Sequence, residues 1–376
     1  MRHFIYLTLM LCSLNAFSQA EIPTQQELCG VSSNENKVIY NYEHHFGKFY
    51  DQANTGSCYA LSVAALLEED NYLRYIGKVP SSFFENNISA IDIQRCDMKT
   101  GHGLGYVGNN DYAFFAMECA LYDSGACFDT YAVFNTASKW SLTTQKGRFE
   151  DFMTAYDEWT TFNTQGNRTE AERTNFIYEK TKYFWKYLPN DEKAPYTGQA
   201  YSLAHFMRAF YDAKNRVDFL NLMLTTDKCK KNRNLFSNRE FFSTNYYKKN
   251  NSSSLLYKKE KIDIIKEAFT KKRSSIVILF GNSLTHAAIV TGMRMQDGLC
   301  QLRLRSSLET WGKNLTSNGW FNDWYNADSL LESTLAIKNL KEVSSQDYEA
   351  SKKIFLQKDI ANIYKQENLY NDASKW

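Results

Sequence analysis

Proline is scarce in this chain, and so is net charge. Four prolines, Pro23, Pro80, Pro189 and Pro195, are too few and too scattered for a proline-rich linker. Forty-four basic side chains stand against 42 acidic ones, which excludes a nucleic-acid protein whose affinity rests on bulk charge. Past the first twenty residues no run approaches about 18 apolar residues, so no membrane span is expected in the mature protein. The eight cysteines include no CxxC pair, so neither a zinc ribbon nor a redox dithiol has support, and no metal or organic cofactor is implied. No fixed-period repeat stands out. The chain is nevertheless 43% hydrophobic, which argues against intrinsic disorder. Its 376 residues suggest two to three domain-sized units, or one large domain with insertions, able to bury a sizeable core.

The N-terminus has a short basic start, Met1-Arg2-His3, then an apolar run from Phe4 to Leu14, then small residues at Ser18 and Ala20. This pattern predicts a signal peptide over residues 1–20 and an exported product, periplasmic or secreted. Leu11 before Cys12 argues against lipid attachment there. Removing Cys12 leaves seven cysteines, Cys29, Cys58, Cys96, Cys119, Cys127, Cys229 and Cys300, in a compartment that permits disulfides. An odd count keeps at least one of them out of any pairing within the chain, and that one is a candidate nucleophile.

From Tyr59 to Leu67 the sequence is apolar almost all round and rich in helix formers, which predicts a buried helix. Gly56 and Ser57 read as its turn and N-cap, so Cys58 is expected at the helix N-terminus, where the orphan N–H groups and the dipole favour a thiolate. Gln52, Gly56, Cys58, Tyr59, Ser62 and Val63 together resemble the active-site signature of the papain-like cysteine peptidases. The resemblance implies that Cys58 is the nucleophile and that Gln52 donates to the oxyanion. A glutamine amide and the nucleophile's own N–H can indeed converge on one oxygen.

Five histidines follow the signal segment: His44, His45, His102, His205 and His286. His286 opens the run His286-Ala287-Ala288-Ile289-Val290-Thr291-Gly292, which reads as a strand following another at Ser275–Phe280. This resembles the family's histidine strand and implies that His286 is the base. Leu299 to Arg305 alternates, with Cys300, Leu302 and Leu304 on one face. Ser306 then stands where the family carries its orienting asparagine, and Leu308 where it carries a shielding tryptophan. Trp311-Gly312 resembles the end of that stretch, and Gly103 and Gly105 the glycine-rich lining of the substrate groove.

The fold class expected is α+β, a papain-like two-lobe arrangement of a helical and a β-rich lobe with a large, mainly helical insertion. The peptidase domain is expected over 21–340, with the insertion at roughly 140–260 and a C-terminal helical tail over 341–376. Within the insertion, Ala171–Leu188 and Gln199–Leu224 look helical. Lys228 to Lys249 carries seven basic residues and one acidic, Glu240, interleaved with aromatics. It reads as a solvated face, with a surface for an anionic envelope polymer or nucleic acid as the sharper alternative. The function expected is hydrolysis of peptide or protein substrates by a Cys58–His286 pair, with no nucleic-acid partner and no membrane span. Two alternatives stand beside it: a catalytically weak relative that binds peptides or partner proteins, and an amidase or transferase acting on cell-envelope bonds.

Overall fold

The computed structural model describes residues 23–46, 58–74, 88–90, 92–93, 110–123, 125–127, 142–185, 203–215, 218–219, 222–223, 236–246, 255–271, 274–281, 286–307 and 322–357. The protein is a mixed helix and sheet structure built on an open antiparallel sheet. Its strands are β1 (Lys37–Asn41), β2 (Arg239–Asn245), β3 (Ser274–Phe280), β4 (Ala287–Gln296), β5 (Leu299–Ser306), β6 (Trp324–Asn326) and β7 (Ala336–Glu342). They lie in the order β2-β7-β3-β4-β5-β6, with β1 also paired to β4.

The central strands are the most apolar. Ile276 to Phe280 in β3 and Ala287 to Met293 in β4 are buried residue by residue, with no exposed alternate positions. That is the pattern of a strand covered on both faces. Two helices, α2 (Cys58–Arg74) and α7 (Leu255–Thr270), pack against β3 and supply the cover. β5 instead alternates, with Cys300, Leu302 and Leu304 buried and Gln301, Arg303 and Arg305 half-buried. The β4–β5 hairpin turns on Asp297 and Gly298, both at positive φ, 52° and 74°, as a two-residue turn of matching twist requires.

That hairpin sets one register that matters for the site. Ala288 faces Ser306 across β4 and β5, so His286, two residues earlier, is the diagonal neighbour of Ser306 on the same side. Farther along, a bulge between Val290 and Gly292 shifts the pairing by one residue. At Gly292 an added Cβ would stand 3.0 Å from both the Trp324 ring and the Tyr40 carbonyl, so glycine lets β1 and Trp324 close on the bulge.

Helix α2 is the hub. Every side chain from Cys58 to Asn71 is buried, including Glu68, Glu69 and Asp70. Each of these carboxylates meets a different segment. Glu68 accepts the Ile88 N–H at 2.9 Å, Glu69 lies 3.0 Å from His45 Nδ1, and Asp70 accepts Arg239 Nε at 2.5 Å. Helix α3 (Asn110–Tyr122) packs beside α2.

Helix α1 (Gln25–Cys29) starts with a capping box between Thr24 and Glu27 and ends in Gly30 at φ 68°. A Cys29–Cys300 disulfide fastens it to β5. Helices α4 (Leu142–Thr164), α5 (Glu170–Trp185) and α6 (Leu203–Asp212) share a second core of their own, in which Phe152, Trp159, Phe206 and Phe210 are buried. The helix expected over Gln199–Leu224 stops at Asp212. There Asn215 takes the Asp218 N–H and Asp218 takes the Lys214 N–H, so side chains compete with the helical ladder. β2 lies within the basic stretch read above as a solvated face; β2 adds Phe241 to the core of the main sheet, and the residues flanking it add Phe236 and Tyr246. After the short helix α8 (Ala327–Ser333) and β7, helix α9 (Ser345–Gln357) docks on α3, where Tyr348 Oη donates to the Leu121 carbonyl at 2.8 Å. No described helix is long and apolar enough to cross a membrane.

Candidate active site

Cys58 is the first residue of α2 and is 2% exposed. Among the described cysteines it alone carries a thiol, since Cys29 and Cys300 are joined and Cys119 and Cys127 are also in disulfides. Its sulfur is within hydrogen-bonding reach of the Ala287 N–H, the amide next to His286, and of the Tyr59 and Cys58 amides at the helix start. These N–H groups favour a thiolate, as the N-terminal position leads one to expect. Burial acts in the opposite sense and is the larger effect, pushing the thiol up to about 11. The sulfur therefore rests as a thiol, and ionising it calls for a proton acceptor close by.

His286 sits at the start of β4, half-buried, with its carbonyl accepting the Gly281 N–H at 3.0 Å. Its Nε2 lies 2.9 Å from Ser306 Oγ. Ser306 is fully buried. The ring is thereby held through one nitrogen by a hydroxyl, and Nδ1 is the nitrogen through which it can exchange a proton elsewhere. The structure thus brings together Cys58, His286 and Ser306, from the start of α2, the start of β4 and the end of β5. The other site residues read from the sequence, Gln52, Gly103, Gly105 and Trp311, lie outside the described residues, as do Gly56, Ser57 and Leu308.

His45 belongs elsewhere. It pairs with Glu69, eleven positions along α2 from Cys58 and so roughly 16 Å from the thiol. Burial pushes Glu69 upward, while the His45 contact pulls it down.

Two polar residues that the sequence reading passed over, Glu43 and Glu68, join the segments around Cys58 and Ser306 to the sheet and to one another's surroundings. Glu43 takes Arg305 Nη1 at 2.6 Å and Thr291 Oγ1 at 2.7 Å, so the segment leading towards Cys58 is stapled to β4 and β5. Glu68 lines a cavity of about 30 Å³ together with Ser62, Arg305, Ser306 and Ser307. A signal for Glu68 was present, since Glu68-Glu69-Asp70 interrupts a helix that is otherwise apolar all round. Among the described residues, no group of three or more His, Cys, Asp or Glu side chains is placed to hold a metal ion. No protein-family model matches the sequence, and no curated protein matches it.

Proposed function

We propose that this chain is an exported papain-like cysteine peptidase, with Cys58 as nucleophile and His286 as its proton acceptor. The observation that carries the reading is the meeting of one buried thiol, the only one among the described cysteines, with the strand that opens at a serine-held histidine. In the reaction the Cys58 S–H proton passes to His286 as the sulfur adds to a peptide carbonyl. The oxyanion is stabilised by the Cys58 N–H and by Gln52. The C–N bond then breaks, His286 gives its proton to the departing amine, and water releases the acyl group from sulfur. Gly103, Gly105 and Trp311 line the substrate groove in this reading.

Burial favours this order of events. A thiol pushed up to about 11 is a poor nucleophile alone, so proton transfer to the imidazole accompanies attack. Digestion of a peptide library by the mature protein, with Cys58→Ala as control, tests the proposal. Cleavage is expected from the native chain and none from the variant. Cleavage that survives in Cys58→Ala would sink it. The 2% exposure of Cys58 also favours a second reading, a catalytically weak relative that binds peptides or partner proteins. Peptide binding without cleavage in the same experiment would select it, and release of cell-wall or isopeptide bonds alone would select an amidase or transferase.

A further inference from the structure

We propose that the solvated face of the sheet around Arg294, Arg303 and Trp324 is a docking surface for an acidic segment of a partner protein. The inference goes beyond the peptidase reading and does not depend on it.

The register builds the surface. Val38 of β1, Arg294 of β4, Gln301 of β5 and Asn326 of β6 stand opposite one another in one row across four strands. Gly292, Arg303 and Trp324 form a second row, two residues along each strand, and so share its face. Val38 is 55% exposed, and the polar residues of both rows and Trp324 are half-buried. The alternate residues Met293, Met295, Cys300 and Leu302 are buried on the other side. An antiparallel sheet with one wet face shows that division, and it asks no more of the wet face than polarity. This face carries more. The Arg294 guanidinium lies 4.3 Å from the centre of the Trp324 ring, and that of Arg303 lies 5.9 Å from it. Gln301 Oε1 accepts Arg294 Nε at 2.7 Å. Ring and amide fix the plane of the Arg294 guanidinium in the fold itself, so docking a ligand there orders little that is not already ordered.

Positive charge is in excess on this face. Glu43 lies 2.6 Å from Arg305 and 3.5 Å from Arg303, so two arginines share one carboxylate. Arg294 forms no ion pair with a carboxylate among the described residues. At the margins, Asp323 accepts the Trp324 N–H at 2.7 Å and Asp297 accepts the Gln296 amide at 3.2 Å. With Nε engaged, the two Nη groups of Arg294 present N–H donors in the fork geometry that suits a carboxylate. A carboxylate on a protein segment fits better than one on a sugar polymer. The Trp324 ring already carries a guanidinium and is not open on that face for a sugar to stack, whereas Val38 beside Arg294 offers an apolar contact to a side chain. Arginine and tryptophan are also the residues that most often anchor protein interfaces.

The test uses the full mature chain as Cys58→Ala, so that no probe is cleaved. The probe is a fluorescein-labelled peptide of Glu, Leu and Gly, read by anisotropy. The same peptide with Gln in place of Glu is the control, and polygalacturonate supplies carboxylates on a sugar polymer. The Glu peptide should bind, more weakly as salt is added, and the Gln peptide should not. Arg294→Gln should weaken binding about tenfold or more. Arg294→Lys keeps the charge without the fork or the planar stack, so it should recover little of that loss, and it carries the test if Arg294→Gln does not fold. Equal affinity for the two peptides, or affinity unchanged in Arg294→Gln or Arg294→Lys, overturns the surface. Polygalacturonate binding that needs Arg294, without peptide binding, overturns the choice of a protein partner. Binding is measured without the Cys58 thiol, so its failure overturns the docking surface alone and leaves the peptidase reading to the cleavage experiment.

Discussion

Ser306 holds the His286 ring by one oxygen on a short arm, at 2.9 Å. An imidazole that must present Nδ1 to a sulfur has to be fixed about its χ angles, because a ring in the wrong orientation forfeits the proximity on which proton transfer depends. The burden is considerable here. With the thiol pushed from 9.0 to about 11, its ionisation costs roughly 3 kcal/mol more than in the unburied reference group. A base that is misaligned part of the time cannot make up that deficit. Ser306→Ala removes the hydroxyl bonded to Nε2 and should lower kcat/KM by about tenfold or more. Ser306→Asn replaces the hydroxyl by a longer acceptor beside a cavity with space for it, and should preserve or raise kcat/KM. Specificity constants of the three proteins on one peptide decide the matter, and equal values would make Ser306 a bystander.

At the scale of elements, the site is carried by a hairpin fastened at both ends. Ser306 closes β5, and Cys300 near the start of the same strand is bonded to Cys29 of α1 across 271 positions of sequence. Two further anchors hold α1: Gln25 accepts the Cys300 N–H, and Lys266 of α7 donates to the Glu27 carbonyl. Replacing both cysteines by serine lengthens the chain excursions open to the unfolded state, and should cost about 3–5 kcal/mol in urea denaturation. A loss under about 1 kcal/mol would mean that the polar anchors suffice. The elements differ in how plainly they stand in the sequence. β3, β4 and β5 are legible to within a few residues, because β3 runs apolar from Ile276 to Phe280, β4 opens on the apolar run Ala287 to Val290, and β5 alternates cleanly. Helix α2 starts where Cys58 was expected to begin it. β2 and β7 were hidden, for a physical reason. β7 has Lys338 at its centre, a residue that ordinarily marks solvent, yet it is buried beneath Phe114, Phe241 and Phe280, with Nζ donating to Ser243 of β2. The charge is satisfied by ring faces and a hydroxyl that only the fold brings together. Glu68 was legible only in part: a carboxylate on an apolar helix signals a partner but does not name it, and the fold supplies the Ile88 N–H.

Over the described residues, several buried and half-buried charges are matched in pairs, Arg239 with Asp70, Arg305 with Glu43 and Lys258 with Asp328. Lys261 is held differently. It is fully buried where α7, α8 and the end of β2 meet, donates to the Leu331 carbonyl at 2.6 Å, and rests 4.7 Å from the centre of the Tyr246 ring. Burial, aided by repulsion from Lys258, pushes it down from 10.5 to about 8. The direction of the effect on stability follows from proton counting. Below about pH 8 the folded and unfolded chains both carry this proton, and the folded one bears the cost of the buried charge. Between about 8 and 10.5 the unfolded chain binds a proton that the folded one does not, so stability rises with pH. Lys261→Met removes the group and, with it, the rise. The native-minus-variant difference in unfolding free energy should therefore climb by about 2 kcal/mol between about pH 7 and 9.5, a window that ends before ordinary tyrosines ionise. Urea denaturation at a series of pH values measures it. A flat difference would place Lys261 in contact with more water, or with a firmer anionic partner, than its burial against Leu331 and Tyr246 provides. A falling difference would reverse the sign of its contribution and show that folding raises the affinity of this lysine for its proton.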